Sequence, residues 1–192
     1  MTPELCNLRG IVKTRLSPKR ALHVLCVERE VDALAQRWNA DRLSARKAAL
    51  LHDITKELSE PAQLKLCAKY DIVTVIWERG KLLHAPTGAA VALHEFQATE
   101  EEALAVRWHT TGRAGMSKLE KIIYLADCVD GTRHYAGVDK LRALCYEDLD
   151  AALLFGLEYG IRRLLKKGRP VAPATLEARN FLLTQGEHIP SP

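Results

Sequence analysis

Apolar residues in this chain recur at intervals of three and four almost from end to end, and strict apolar–polar alternation is nearly absent. Such spacing paints one stripe along a helix, whereas alternation would paint one face of a strand. The chain is therefore expected to be all-α. Val24, Val27, Val31, Leu34 and Trp38 form the longest stripe, and Ser17-Pro18 precedes it as a cap with proline at the first helical position. A second helix is expected from about Ser44 to Ile54, with a small face of Ala45, Ala48 and Ala49. A third should start at the Ser59 cap and carry Leu64 and Cys67. Beyond an irregular stretch around Glu78-Arg79-Gly80, Pro86 opens a helix through Ala89, Ala92, Leu93 and Phe96. Thr99-Glu-Glu-Glu102 and Ser117-Lys-Leu-Glu120 read as capping boxes. The helix after the first ends near His109, and the one after the second carries Ile122, Ile123 and Ala126. A long helix from about Glu147 to Lys167 stops at Gly168, and Pro173 begins the last.

At 192 residues the chain has the length of about one domain. Residues 17–184 are expected to form it, with 1–16 an N-terminal segment and 185–192 a flexible tail. The 47% hydrophobic and 27% charged residues exclude wholesale disorder. A surplus of 28 Lys and Arg over 24 Asp and Glu, scattered along the chain, suits an anionic ligand. It lacks the dense basic stripe of a stable nucleic-acid binder. There is no apolar run of membrane-spanning length, and the first ten residues lack the layout of a signal peptide, so a cytoplasmic protein is expected. The five cysteines form no C-x-x-C pair and read as reduced packing residues. A homodimer is compatible with all of this.

The chemistry lies in the histidines and in where they fall on these helices. His23 shares a face with Val27, Val31 and Leu34, and His52 lies three and four residues past Ala49 and Ala48 with Asp53 beside it. Asp127 follows Ile123 by four. Several helices thus direct imidazole or carboxylate inward, and buried carboxylates cost several kcal/mol each unless a cation or close partner is present. A bound divalent metal answers that need. His84, just before the Pro86 helix, and His109 add donors of the same kind, while His94, His134 and His188 do not share the pattern.

In chain order the set runs His23, His52-Asp53, His84, His109, Asp127, with the pair inside Lys47-Ala-Ala-Leu-Leu-His-Asp-Ile-Thr-Lys56. Lys19-Arg20 stands ahead of His23, His109-Thr-Thr-Gly-Arg113 forms a block, and Ala126-Asp127 is followed by Arg133. From about Ser17 to Leu165 this resembles the HD-domain superfamily of metal-dependent phosphohydrolases, and within it the YqeK-type symmetrical bis(5'-nucleosyl)-tetraphosphatases. The resemblance implies an HD-domain helical bundle and two metal ions. One is held by His23, His52, Asp53 and Asp127, the other by His84 and His109, with Asp53 bridging. It implies iron; manganese, cobalt and zinc suit the same donors. It further implies a dinucleoside polyphosphate substrate, with diadenosine tetraphosphate cut into two ADP by metal-bound hydroxide. The chain departs from the family at Val129-Asp130-Gly131, where Ile-Glu-Pro is usual: the charge is kept on a shorter side chain, and the turn leading to Arg133 is looser.

Arg113 has two readings. Its guanidinium forks onto phosphate while Thr110 and Thr111 donate hydrogen bonds, or Gly112 turns left-handed as a helix stop and Arg113 is solvated; the two are compatible. Lys56 either neutralises a phosphate or protonates a leaving oxygen, or is a solvated lysine at a helix end. Arg20, one turn before His23, is a weaker phosphate candidate, and Arg133 joins it as a substrate-binding residue. The rivals are another HD nucleotidase or cyclic-nucleotide phosphodiesterase, a di-iron oxygenase, and a non-catalytic nucleotide sensor.

Overall fold

In a computed structural model that describes residues 2–75 and 80–184, the chain forms ten α-helices, and no strand occurs among the described residues. In order they are α1 (Pro3–Arg15), α2 (Pro18–Arg37), α3 (Arg42–Leu51), α4 (Glu60–Lys69), α5 (His84–Glu95), α6 (Glu100–Trp108), α7 (Lys118–Val129), α8 (Val138–Glu147), α9 (Leu149–Lys166) and α10 (Pro173–Thr184). The expected tail, His188 and the Glu78-Arg79 part of the irregular stretch lie outside the described residues.

Local chemistry sets most of these starts. The Ser17 hydroxyl accepts from Arg20 N, and both capping boxes form in full at Thr99/Glu102 and Ser117/Glu120. Asp148 serves two helices: its N–H donates to Leu144 O and ends α8, and its carboxylate accepts from Asp150 N and Ala151 N to start α9. Val24, Val27, Val31 and Leu34 are fully buried, as are Ala45, Ala48 and Ala49. The small face of α3 lets its backbone settle against α2, and α3 also touches α1, α5, α6 and α7. With α2 packed on α7 and α5 on α6, these helices enclose one continuous core. Helices α8, α9 and α10 pack in series against its α7 side.

The structure adds to or departs from the expectations at four points. The segment before residue 17 is helical, and its Leu5, Leu8 and Val12 enter the common core. Helix α8 also went unread, and it too has only three fully inward residues, Val138, Leu141 and Cys145. Leu64 and Leu93 lie toward solvent: α4 buries only Gln63 and Cys67, and α5 buries its N-terminal two turns while Leu93 falls in its exposed last turn. Finally, α3 stops at Leu51, short of Ile54. Bonds from Ile54 N to Leu51 O, Lys56 N to Asp53 O and Leu58 N to Thr55 O wind the next residues more tightly than an α-helix. His52 is therefore the C-cap of α3, and Asp53 and Lys56 sit on the tight turns beyond it.

Candidate metal centre

The ends of helices bring the histidines together. His52 caps the C-terminus of α3 and His109 that of α6; His84 is the first residue of α5, and His23 lies in the second turn of α2. Each of the three terminal histidines hydrogen-bonds a carbonyl three residues earlier through Nδ1. The pairs are His52 with Ala49 O at 2.6 Å, His84 with Lys81 O at 2.9 Å and His109 with Val106 O at 2.7 Å. A carbonyl can only accept, so Nδ1 carries the proton and a neutral ring turns the lone pair of Nε2 toward the centre. His23 is oriented differently, by the buried Asp130, whose Oδ2 lies 3.3 Å from its Nδ1.

All four Nε2 atoms converge on Asp53. Its Oδ2 lies 3.5 Å from His52 Nε2 and 3.8 Å from His23 Nε2; its Oδ1 lies 3.3 Å from His84 Nε2 and 3.7 Å from His109 Nε2. One carboxylate thus shows each oxygen to a different pair of imidazoles. Asp127 joins the first pair, with Oδ1 3.1 Å from His23 Nε2. Within these groups, the donor atoms of His23, His52 and Asp53, of His52, His109 and Asp127, and of Asp53, His84 and His109 lie within 4.8 Å of one another.

The donor set fits a metal. His23 Nε2, His52 Nε2 and Asp53 Oδ1 are buried without a hydrogen-bond partner, and buried polar atoms are rarely left so. His84 Nε2 and His109 Nε2 face each other at 3.1 Å, two lone pairs that repel unless a cation or proton lies between them. Burial pushes the imidazoles of His52 and His84 down to about 4, leaving them neutral, which is the state a ligand needs. At His23 burial acts in the same direction, but the adjacent carboxylates of Asp127 and Asp130 outweigh it and raise the ring to about 9. Burial alone would raise the Asp53 carboxyl; the surrounding imidazoles of His52, His109 and His84 hold it well below the carboxylate range.

Three cations surround these carboxylates. Arg20 Nη1 lies 2.9 Å from Asp53 Oδ2, Lys56 Nζ lies 2.9 Å from His84 Nε2, and Arg133 pairs with Asp127 and with Asp130, the latter at 3.1 Å. Burial lowers the Lys56 ammonium below its ordinary value. Arg133 is seated despite the Asp130-Gly131 departure, because Asp130 holds its Nε and Asp127 O accepts from the same atom at 2.7 Å.

Arg113, expected to meet phosphate, faces a carboxylate in this structure. Its Nε and Nη2 donate to Glu120 Oε1 and Oε2 at 2.7 and 2.9 Å, so the fork is committed to the buried carboxylate of the α7 capping box. Gly112, with φ +66°, makes the helix stop and packs too closely to face a ligand: a Cβ there would meet Met116 Sδ at 3.3 Å and Leu157 Cδ2 at 3.4 Å. Thr110 and Thr111 keep buried hydroxyls with no partner, and Thr110 lines a cleft next to Asp127. Sequence reasoning passed over the orienting role of Asp130, whose signal was an acid kept where the family has one. It also missed Thr55, whose Oγ1 lies 3.0 Å from His84 O and 2.9 Å from Thr87 Oγ1, tying the turn after α3 to the start of α5.

An all-helical bundle whose His-Asp pair sits at a helix end among three further inward histidines defines a class, and the HD domain model matches residues 20–132. The chain belongs to the HD domain family. Among its relatives are two proteins named symmetrical bis(5'-nucleosyl)-tetraphosphatase. That of Halalkalibacterium halodurans is 37% identical over 91% of this chain and 95% of its own, and that of Bacillus subtilis 35% identical over 90% and 94%. A crystal structure from Clostridium acetobutylicum, described as a predicted HD superfamily hydrolase involved in NAD metabolism, superposes with a TM-score of 0.89. It is 34% identical and covers 94% of this chain and 97% of its own.

Proposed function

We propose that this protein is a metal-dependent phosphohydrolase that cuts dinucleoside tetraphosphates symmetrically, turning diadenosine tetraphosphate into two ADP, and that its resident metal is iron. The observation that carries the reading is Asp53, whose two oxygens serve two different pairs of imidazoles, the arrangement a bridged metal pair needs. The substrate is supported by the named activity of relatives that align over nine tenths of the chain. Four imidazoles and two carboxylates suit iron, manganese, cobalt or zinc better than the all-oxygen preference of magnesium or calcium. When bound, two such cations supply a water of lowered pKa and a clamp for phosphoryl oxygens.

The chain's own groups do the rest. Carbonyls and Asp130 hold the four rings with Nε2 inward. Lys56, half-buried beside His84, presents an ammonium with a lowered pKa, suited to giving a proton to the oxygen that departs with the nucleoside diphosphate. Arg20 and Arg133 each hold a ligand carboxylate with part of the fork and offer the remaining N–H groups to phosphate.

The test uses protein purified without added metal, analysed for metal content and then given diadenosine tetraphosphate in labelled water. Two equivalents of iron and ADP as the only early nucleotide product, with the label in ADP, are expected. AMP and ATP in equal amounts would overturn the symmetric reading. A preparation active with no transition metal would overturn the centre.

A further inference from the structure

A cleft of about 220 Å3 opens beside the metal centre, and Asp127 and Arg133 form part of its wall. Another part is an aromatic pair: Tyr135, after α7, and Tyr159, on α9, stack with centroids 4.6 Å apart and planes 26° from parallel. The Tyr135 hydroxyl donates to Cys128 O at 2.9 Å, which fixes that ring. Thr110 brings its buried, unpartnered hydroxyl to the same cleft, and Arg163, one turn past Tyr159, brings an exposed guanidinium. Gly160 completes the wall next to Tyr159, and a Cβ there would meet no heavy atom within 4 Å. Glycine in the middle of a helix is less stable than alanine, so packing does not ask for it; what it leaves is open space along the cleft.

Metal ligation and phosphate neutralisation use none of Tyr135, Tyr159, Thr110, Gly160 or Arg163. Together they present a flat π surface, a hydroxyl that needs a partner, a cation and a bare wall, the combination that recognises a nucleoside joined to phosphate. We propose that this cleft is the nucleoside subsite, in which a base stacks on the Tyr135–Tyr159 pair, Thr110 hydrogen-bonds the nucleoside, and Arg163 meets the phosphate chain that runs on to the metals. The proposal rests on the phosphohydrolase reading above and deepens it by assigning where one end of the substrate lies.

Binding of ADP and of inorganic pyrophosphate to the metal-loaded protein, measured by calorimetry, separates the two regions. Tyr159→Ala should weaken ADP about tenfold, the usual order for one lost base–aromatic stack, with pyrophosphate affinity within about twofold. Gly160→Leu should have the same selective effect by filling the cleft, with metal content and melting temperature kept. If both variants bind ADP as the unaltered protein does, or lose ADP and pyrophosphate equally, the assignment is overturned. The function is judged separately. Should the unaltered protein bind ADP through Tyr159 yet leave diadenosine tetraphosphate intact, the catalytic reading fails and the subsite stands. Should it cleave that substrate while Tyr159→Ala keeps the same KM, the subsite fails and the catalytic reading stands.

Discussion

Asp53 is the residue on which the centre turns, because four imidazoles and an arginine all address its two oxygens. Asp53→Ala should abolish metal binding at both positions and with it activity, whereas the exposed His134→Ala should change neither; metal analysis of the two purified variants decides this. Near-normal metal content in Asp53→Ala would contradict the bridge. Arg113 makes the opposite case. Its pair with Glu120 is bidentate, the carboxylate is 1% exposed and the guanidinium 34%. Removing one partner of a fully buried pair costs about 3–5 kcal/mol, and the partial exposure of Arg113 brings the expectation for Arg113→Ala to about 2–3 kcal/mol. Urea denaturation should show that loss with little change in kcat. A drop in kcat without loss of stability would restore the phosphate contact. Residue types announced the ligands, but not which carboxylate each arginine meets: Arg113 and Arg133 look alike until Glu120 is seen beside one and Asp127, on the metal-centre side, beside the other.

Helices with strong local signals were legible from the sequence. Ser17-Pro18 and the two capping boxes need only neighbours within one turn, so their chemistry is readable before the fold exists. Helices α1 and α8 each bury only three residues completely and owe their helicity to the core they dock on, a debt that no local pattern reveals. Their contribution is nonetheless substantial: Leu5, 1% exposed, anchors α1, and Leu5→Ala should cost about 2–4 kcal/mol in urea denaturation. A cost near zero would make α1 an accessory strap. The end of α3 was misjudged by three residues because tight turns continue its spacing. That small error has a chemical consequence: it moves His52 and Asp53 from a helix face to a helix end, where Nδ1 reaches a free carbonyl.

At the scale of the whole molecule, burying the centre makes stability depend on pH in two opposed ways. His52 and His84 are pushed from 6.5 to about 4, so below pH 6.5 the unfolded chain takes protons that the folded one refuses, and their contribution is lost as pH falls toward 4. His23 is raised from 6.5 to about 9, so its contribution is full below 6.5 and lost as pH rises through 9. Metal-free protein should therefore be most stable near pH 6.5, with urea midpoints falling on both sides; a midpoint that rises steadily to pH 9 would show that His23 lacks its two carboxylate partners. No described helix is long and apolar enough to cross a membrane. The sequence by itself determined the helical class, most helix starts and the identity of the inward donors, because caps, periodicity and ligand chemistry are properties of residues and their near neighbours. Tertiary structure alone decided that Asp53 lies between two pairs of imidazoles, that Asp130 orients His23, that Arg113 is spent on Glu120, and that Tyr135 meets Tyr159 beside the centre. Those contacts join residues from separate helices, and only the packing of one core sets the distances between helix ends.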